Sequence, residues 1–254
     1  MEILQVQNLS KSFDGVRAVD ALSFGVKKGT ITALIGPNGS GKTVSFNLIT
    51  GFYSPSSGKI FFKGKDITHL APHKIFDLGI GRTFQNIRLF PQISVLDNVM
   101  LALSHEKMES FAAGLFQLPD MKKKEETNHQ KAEELLKLAG LIEKKDELAE
   151  NLSYGQKKLL ELARTLALDP KLLLLDEPTA GLFPETKKVM FNLIKSLKEK
   201  GKTVLFIEHN LRSVMETAEK IIVLDYGRKI AEGKPDEIKA NKEVQKIYLG
   251  KSIL

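Results

Sequence analysis

Apolar positions along this chain follow two alternating patterns. Short unbroken apolar runs, Thr30–Ile35, Leu172–Leu175 and Thr203–Ile207, read as strands buried on both faces. Residues 2–9 (Ile3, Val6, Leu9) and about 20–28 (Leu22, Phe24, Val26) also read as strands, with Ser10–Gly15 a turn between them. Lys59–Phe62 and Ile80–Gln85 add two more, and 220–225 with 228–232 form a hairpin around Tyr226-Gly227. Helices are expected over 44–50, closed by Gly51, shortly after Pro72, and from 97 with Asp97 as its cap. Residues 127–139 show an amphipathic face of Ala132, Leu135, Leu136, Leu138 and Ala139. A further helix runs from Ser153 to about Leu168, burying Leu159, Leu160, Leu162, Ala163 and Leu166. Ser153 would cap it, with Gln156 at the capping-box position. Helices over 185–200 and 210–219 continue the α/β alternation, and helical pieces end the chain near Tyr248-Leu249-Gly250.

Between the strand Thr30–Ile35 and the helix 44–50 lies Gly36-Pro37-Asn38-Gly39-Ser40-Gly41-Lys42-Thr43, the G-x-x-x-x-G-K-[ST] pattern of a phosphate-binding loop. Glycine lets the loop curl and turn several backbone N–H groups inward. Together with the positive end of the following helix they form a socket for a polyphosphate. Lys42 would reach the β- and γ-phosphates, and the Thr43 hydroxyl would hold Mg²⁺. Phe13, in the turn before this loop, could stack on a purine.

The strand Leu172–Leu175 ends in Asp176-Glu177. Acids at the end of a buried parallel strand lie where open α/β sheets bind ligands. Beside a phosphate loop, Asp176 is expected on the Mg²⁺ side and Glu177 next to the attacking water. His209, just past another strand, is a candidate γ-phosphate contact.

Composition narrows the classes. At 254 residues, 42% hydrophobic and 27% charged, the chain is an ordinary globular protein of one large domain, with or without a small appendage. No apolar run approaches the ~18 residues that span a bilayer, and no export signal is expected at the N-terminus. The absence of cysteine excludes disulfides, thiol catalysis and cysteine-ligated metal. The net charge of +7 comes from lysines spread among acids, as in Glu143–Glu147, and nucleic-acid binding is not inferred from it. Residues 105–126 stand apart, with the apolar patch Phe111–Phe116, Pro119-Asp120 and the basic run Lys122–Lys124; they read as an inserted helical hairpin.

A phosphate loop, Leu152-Ser153-Tyr154-Gly155-Gln156 opening a helix, four leucines with Asp176-Glu177-Pro178, and a strand-end histidine occur in the order found in ABC-type ATPases, and the chain resembles them over its whole length. Gly51-Phe52-Tyr53, Gly81–Phe90, Tyr154 and Leu224–Gly233 resemble the ATPase subunit of branched-chain amino acid importers, as does the insertion near 105–126. The resemblance implies a P-loop ABC ATPase fold: one domain over 1–254, with a mixed β-sheet, an N-terminal antiparallel β part and a helical signature subdomain. About 1–85 and 171–234 would form the RecA-like core, about 86–170 the helical part and 235–254 a helical tail.

It further implies that ATP is bound by Phe13, Gly36, Pro37, Asn38, Gly39, Ser40, Gly41, Lys42, Thr43 and Val44. Ser153, Gly155 and Gln156 would close over the ATP of another subunit. Mg²⁺ would be held by Thr43, Gln85 and Asp176, while Glu177 acts as general base beside His209, Gln85 and Lys42. The implied active form is a head-to-tail dimer, with itself or a paralogous ATPase subunit. It would work on the cytoplasmic face of the membrane, with permease subunits docking at about 85–99 and no nucleic acid bound. The sequence departs from the family at Phe183, where Asp or Asn is usual; a phenyl ring cannot make the cross-subunit hydrogen bond. A lipid or lipopolysaccharide exporter ATPase and a soluble ABC ATPase acting on DNA or ribosomes are the alternatives. A small-molecule kinase would leave Leu152–Lys158 and His209 without a role.

Overall fold

The unbroken apolar runs become the centre of a sheet. In the computed structural model, which describes residues 1–104 and 119–248 (side chains of 119–123 excepted), these runs are fully buried from Ile31 to Ile35, Leu172 to Leu175 and Thr203 to Ile207. The strands are β1 (Glu2–Phe13), β2 (Val16–Lys27), β3 (Ile31–Ile35), β4 (Ser57–Phe62), β5 (Lys65–Asp66), β6 (Ile80–Arg82), β7 (Leu172–Asp176), β8 (Thr203–Ile207), β9 (Lys220–Asp225) and β10 (Arg228–Gly233). The helices are α1 (Lys42–Ile49), α2 (Pro72–Asp77), α3 (Val95–Leu103), α4 (Pro119–Leu138), α5 (Tyr154–Ala167), α6 (Pro184–Glu199), α7 (Leu211–Thr217), α8 (Pro235–Ala240) and α9 (Lys242–Tyr248). The chain divides into two compact units. One holds Met1–Arg82, Pro170–Ala180 and the chain from Lys188 on; the other holds Thr83–Asp169 and Gly181–Lys187.

The first unit carries both sheets. An antiparallel sheet has the order β2-β1-β4-β5, and a mixed six-stranded sheet has the order β10-β9-β3-β8-β7-β6, parallel except for the β9–β10 hairpin. Leu4, Leu9, Leu22, Ile60 and Phe62 of the antiparallel sheet join Phe46, Leu48 and Ile49 of α1 and Leu34, Leu174, Leu205 and Ile222 in one apolar core. Parallel strands covered on both sides have no polar face, which is why their interiors are apolar apart from Thr32.

The β1–β2 connection is tighter than the expected turn over Ser10–Gly15. Both strands run to a two-residue loop, Asp14-Gly15, with φ of 44° and 84°. Asp-Gly favours the left-handed pair that such a hairpin needs, and register shifts between Val6 and Ser12 let the long strands bend.

The second unit is helical, with α3, α4 and α5 packed together through Val95, Val99, Ala132, Leu136, Leu160 and Ala163. Two expectations change here. The cap of α3 is Ser94 rather than Asp97: the Ser94 Oγ accepts the Asp97 N–H at 2.9 Å and donates to the Asp97 carboxylate at 2.7 Å. The amphipathic helix expected from residue 127 already begins at Pro119, a residue suited to a first helical turn. The patch Phe111–Phe116 lies outside the described residues.

Buried Asn98 of α3 shapes the chain before its own helix. Its side chain accepts the Phe90 N–H at 3.0 Å and donates to the carbonyls of Phe90 and Ser94 at 2.9 and 3.0 Å. Asn98→Ala should destabilise the protein by about 2–3 kcal/mol, because buried backbone groups lose their partners. Urea unfolding monitored by circular dichroism checks this; a loss below about 0.5 kcal/mol would mean that the bonds contribute nothing net.

Candidate active site

β3, β8 and β7 lie side by side and parallel, with Leu34 opposite Ile207 and Ile207 opposite Asp176. Their carboxyl ends therefore open at one level. The turns leaving them form a row at the sheet edge: Gly36–Thr43 after β3, Asp176-Glu177 at the end of β7, and Glu208-His209 after β8. This is the edge at which open α/β sheets take ligands.

The first turn has the properties of an anion socket. α1 begins at Lys42 without a side-chain cap, so the positive end of its dipole is open to the loop. A side chain at position 36 would collide with the Leu224 carbonyl and the Ser40 hydroxyl, so the backbone there must be bare. The Ser40 Oγ is buried and has no hydrogen-bond partner among the described residues. The buried Lys42 ammonium arches over the loop and donates to the Gly36 and Pro37 carbonyls, both at 2.9 Å. Asn38, Gly39 and Thr43 face solvent. Bare backbone, an unpartnered buried hydroxyl, a helix N-terminus and a cation in one curl fit a polyphosphate.

The acids beside it are held rigidly. Asp176 is buried, and its carboxylate meets Arg82 Nη2 at 3.1 Å. Burial pushes its pKa above the ordinary value and nearby Glu177 adds to this, while Arg82 and Lys42 pull it down. Arg82 also donates to Asn47 Oδ1 at 2.7 Å and Thr50 Oγ1 at 2.9 Å, both in or next to α1. Glu177 sits at φ 49°, a left-handed conformation unusual for a side-chain-bearing residue and typical of strained functional positions. Its Oε1 lies 2.5 Å from His209 Nε2. Glu208, buried between the two turns, accepts the Thr179 N–H at 2.9 Å, the Thr179 hydroxyl at 2.7 Å and the His209 N–H at 3.2 Å. One carboxylate thereby fastens the turn after β7 to the turn after β8.

Arg82, Glu208 and Thr179 were not singled out from sequence. The available signal was a charge at the end of a buried strand, in Ile80-Gly81-Arg82 and again in Ile207-Glu208. Phe13 stands at the tip of the β1–β2 hairpin, 38% exposed, edge-on to Tyr53 with ring centres 5.2 Å apart.

The remaining site residues belong to the second unit. Gln85 does not end a strand, since β6 stops at Arg82; Gln85 lies in the irregular chain beyond it and is exposed. Ser153 and Gln156 form the expected capping box of α5: Gln156 Oε1 accepts the Ser153 N–H at 2.9 Å and Ser153 Oγ accepts the Gln156 N–H at 3.3 Å. A side chain at Gly155 would press on the Thr186 methyl. Phe183 is 80% exposed. Among the described residues no group of three or more acids and histidines forms a ready-made metal cluster.

The family model described as ABC transporter matches residues 19–180, and one described as branched-chain amino acid ATP-binding cassette transporter matches 228–252. The chain is 44% identical to a probable branched-chain amino acid transport ATP-binding protein of Archaeoglobus fulgidus, covering 98% of this chain and 96% of that protein. It is 39% identical to a high-affinity branched-chain amino acid transport ATP-binding protein of Pseudomonas aeruginosa, over 98% of each. Among solved structures it resembles the ADP conformation of an ATP-binding cassette of an ABC transporter, with a TM-score of 0.84 and 34% identity over 99% of this chain and 100% of the other. It also resembles a dimeric cassette in a post-hydrolysis state bound to ADP and phosphate, with a TM-score of 0.76 and 27% identity over 91% and 98% of the two chains.

Arg82 supplies the countercharge that a buried Asp176 needs. Arg82→Met should cost about 3–5 kcal/mol near neutral pH, because the carboxylate is left buried and unpaired. The sign follows from the raised pKa: ionising Asp176 opposes folding, so the penalty is absent below the ordinary aspartate value of 3.8, grows as pH rises above it and is complete once pH exceeds the folded pKa. Urea unfolding at several pH values checks this. A deficit that does not shrink towards acid would show that Arg82 acts by packing alone.

Proposed function

This chain belongs to the ABC transporter ATP-binding family, and from its ATPase activity we propose that it powers an importer of branched-chain amino acids. For the chemistry, the carrying observation is the row of phosphate loop, acid pair and histidine at one sheet edge. For the solute, it is the likeness over residues 228–252 and to relatives of nearly the same length. That likeness favours an importer over a lipid exporter or a soluble ATPase.

ATP is the substrate. The loop Gly36–Val44 wraps the phosphates with its N–H groups, and the Lys42 ammonium shifts its bonds from the Gly36 and Pro37 carbonyls to phosphate oxygens. Phe13 offers an exposed face to the purine. Thr43, Gln85 and Asp176 would hold Mg²⁺, which when bound neutralises charge on the phosphate oxygens. Glu177 takes the proton of the attacking water. His209 keeps the Glu177 carboxylate in one orientation through their 2.5 Å contact and would contact the γ-phosphate of bound ATP. Glu208 and Thr179 preserve that spacing as the reaction proceeds.

Ser153, Gly155 and Gln156 close over the ATP of a second subunit, identical or paralogous, in a head-to-tail dimer; a similar cassette solved as a dimer with ADP and phosphate supports dimerisation. Residues 1–254 act as one ATPase domain, with 86–170 its helical part and 235–254 its tail. No helix among the described residues is long and apolar enough to cross a membrane. By its likeness to transport ATP-binding proteins, the chain works from the cytoplasmic face, bound to permease subunits through residues 85–99, where Phe90 is 51% exposed. Phe183 replaces a polar cross-subunit contact with an apolar one, so communication between the two nucleotide sites is weaker or is made differently.

Glu177→Gln should lower the ATPase rate at least about 100-fold while preserving ATP binding. With ATP and Mg²⁺ it should elute from a sizing column as a dimer, whereas wild type with ADP should not. Hydrolysis at the wild-type rate would remove Glu177 as the base. In cells that depend on this subunit, the same variant should abolish uptake of labelled leucine, isoleucine and valine. Unchanged uptake of all three would refute the solute assignment.

A further inference from the structure

The stretch carrying Gln85 has no helix or strand of its own between β6 and Ser94. Side chains from α5 and α3 give it shape. Glu161, in the middle of α5 and only 7% exposed, accepts the Phe84 N–H at 3.2 Å, and the Arg88 N–H also bears on its carboxylate. Arg164, one turn further along α5, donates to the Arg88 carbonyl and covers the Phe90 ring at 5.0 Å. Arg88 in turn lies over the Phe84 ring at 4.0 Å. Gln85 therefore sits between two backbone donors that converge on a single buried carboxylate. Packing alone would favour an apolar residue here, since a buried carboxylate is costly unless hydrogen-bonded.

We propose that Glu161 is a positioning residue for ATP hydrolysis, whose carboxylate anchors the Phe84–Arg88 strip and so presents Gln85 in one place. This rests on the reading that Gln85 serves the nucleotide site. The anchor also responds to protons. Burial pushes the Glu161 pKa up to about 7, opposed by the Phe84 and Arg88 N–H groups and by the charges of Lys158 and Arg164. On α3, packed against α5, Asp97 points to solvent and the buried polar group is the neutral Asn98. On α4 the ionisable side chains among the described residues are exposed except Glu133, which is paired with Lys145 at 2.6 Å. Above neutrality Glu161 is an acceptor-only carboxylate matched to two N–H donors. Below it the carboxyl loses its charge, the bonds from both N–H groups lose their charge assistance, and the anchor loosens.

The test compares wild type, Glu161→Gln, Gln85→Ala and the double variant in steady-state ATPase assays between about pH 6 and pH 8.5, with affinity for a fluorescent ATP analogue measured alongside. Glu161→Gln should keep nucleotide affinity within about twofold, match the wild-type kcat near pH 6 and fall about tenfold below it near pH 8. In the Gln85→Ala background it should cause no further loss. A wild-type to Glu161→Gln ratio that does not change with pH, or equal losses with and without Gln85, overturns the proposal. A wild-type rate in Gln85→Ala instead removes the reading on which it rests. Wild-type protein gives a check that needs no variant: hydrogen-exchange protection factors of the Phe84 and Arg88 amides should fall as pH drops through about 7, and constant protection overturns the proposal.

Discussion

A strand buried on both faces has no place for a polar side chain until it ends. β3, β7 and β8 obey this without exception in their interiors apart from buried Thr32, and the consequence organises the whole molecule. Every charged group that these strands contribute is pushed to their carboxyl ends, which parallel pairing brings to one level. The phosphate loop, Asp176-Glu177 and Glu208-His209 thus meet although they are far apart in sequence. The chemistry occupies the one edge where such a sheet can place it.

Charge buried at that edge must be balanced locally, and the protein does so with few groups that each hold several partners. Arg82 ties Asp176 to the helix behind the phosphate loop through Asn47 and Thr50. Glu208 joins two turns through three donated hydrogen bonds. Glu161 does similar work in the helical unit, under a strip that lacks regular structure. In each case removing the charge would disturb more than one element, so these residues couple the shape of the site to its electrostatics.

Most of this was legible in the residues. The glycine-lysine loop between a strand and a helix, the leucine run closed by two acids, and the capping box at Ser153 and Gln156 each carry a local physical signature, and each lies where that signature indicated. What was not legible depended on contacts distant in sequence or on subtler local choices. Asp97 is a good cap in isolation, but Ser94 lies three residues earlier and bonds to it, so the helix starts sooner. Ile80–Gln85 reads as a strand ending in a glutamine, yet β6 finds pairing on β7 only as far as Arg82. Arg82 and Glu208 looked like ordinary charges because their partners, Asp176 and Thr179, are 94 and 29 residues away.

The loop that grips phosphate is itself gripped from a distance. The Gly227 N–H donates to the Ser40 carbonyl at 3.2 Å, the Asp20 N–H donates to the Gly227 carbonyl at 2.9 Å, and Arg228 is bonded to the Asp20 carboxylate at 2.6 Å. β3 likewise lies between β8 and β9, both from late in the chain. During synthesis the phosphate loop therefore emerges from the ribosome long before its supports do. Until translation has passed Arg228 these bonds are missing, so the loop gains its full support only late in synthesis.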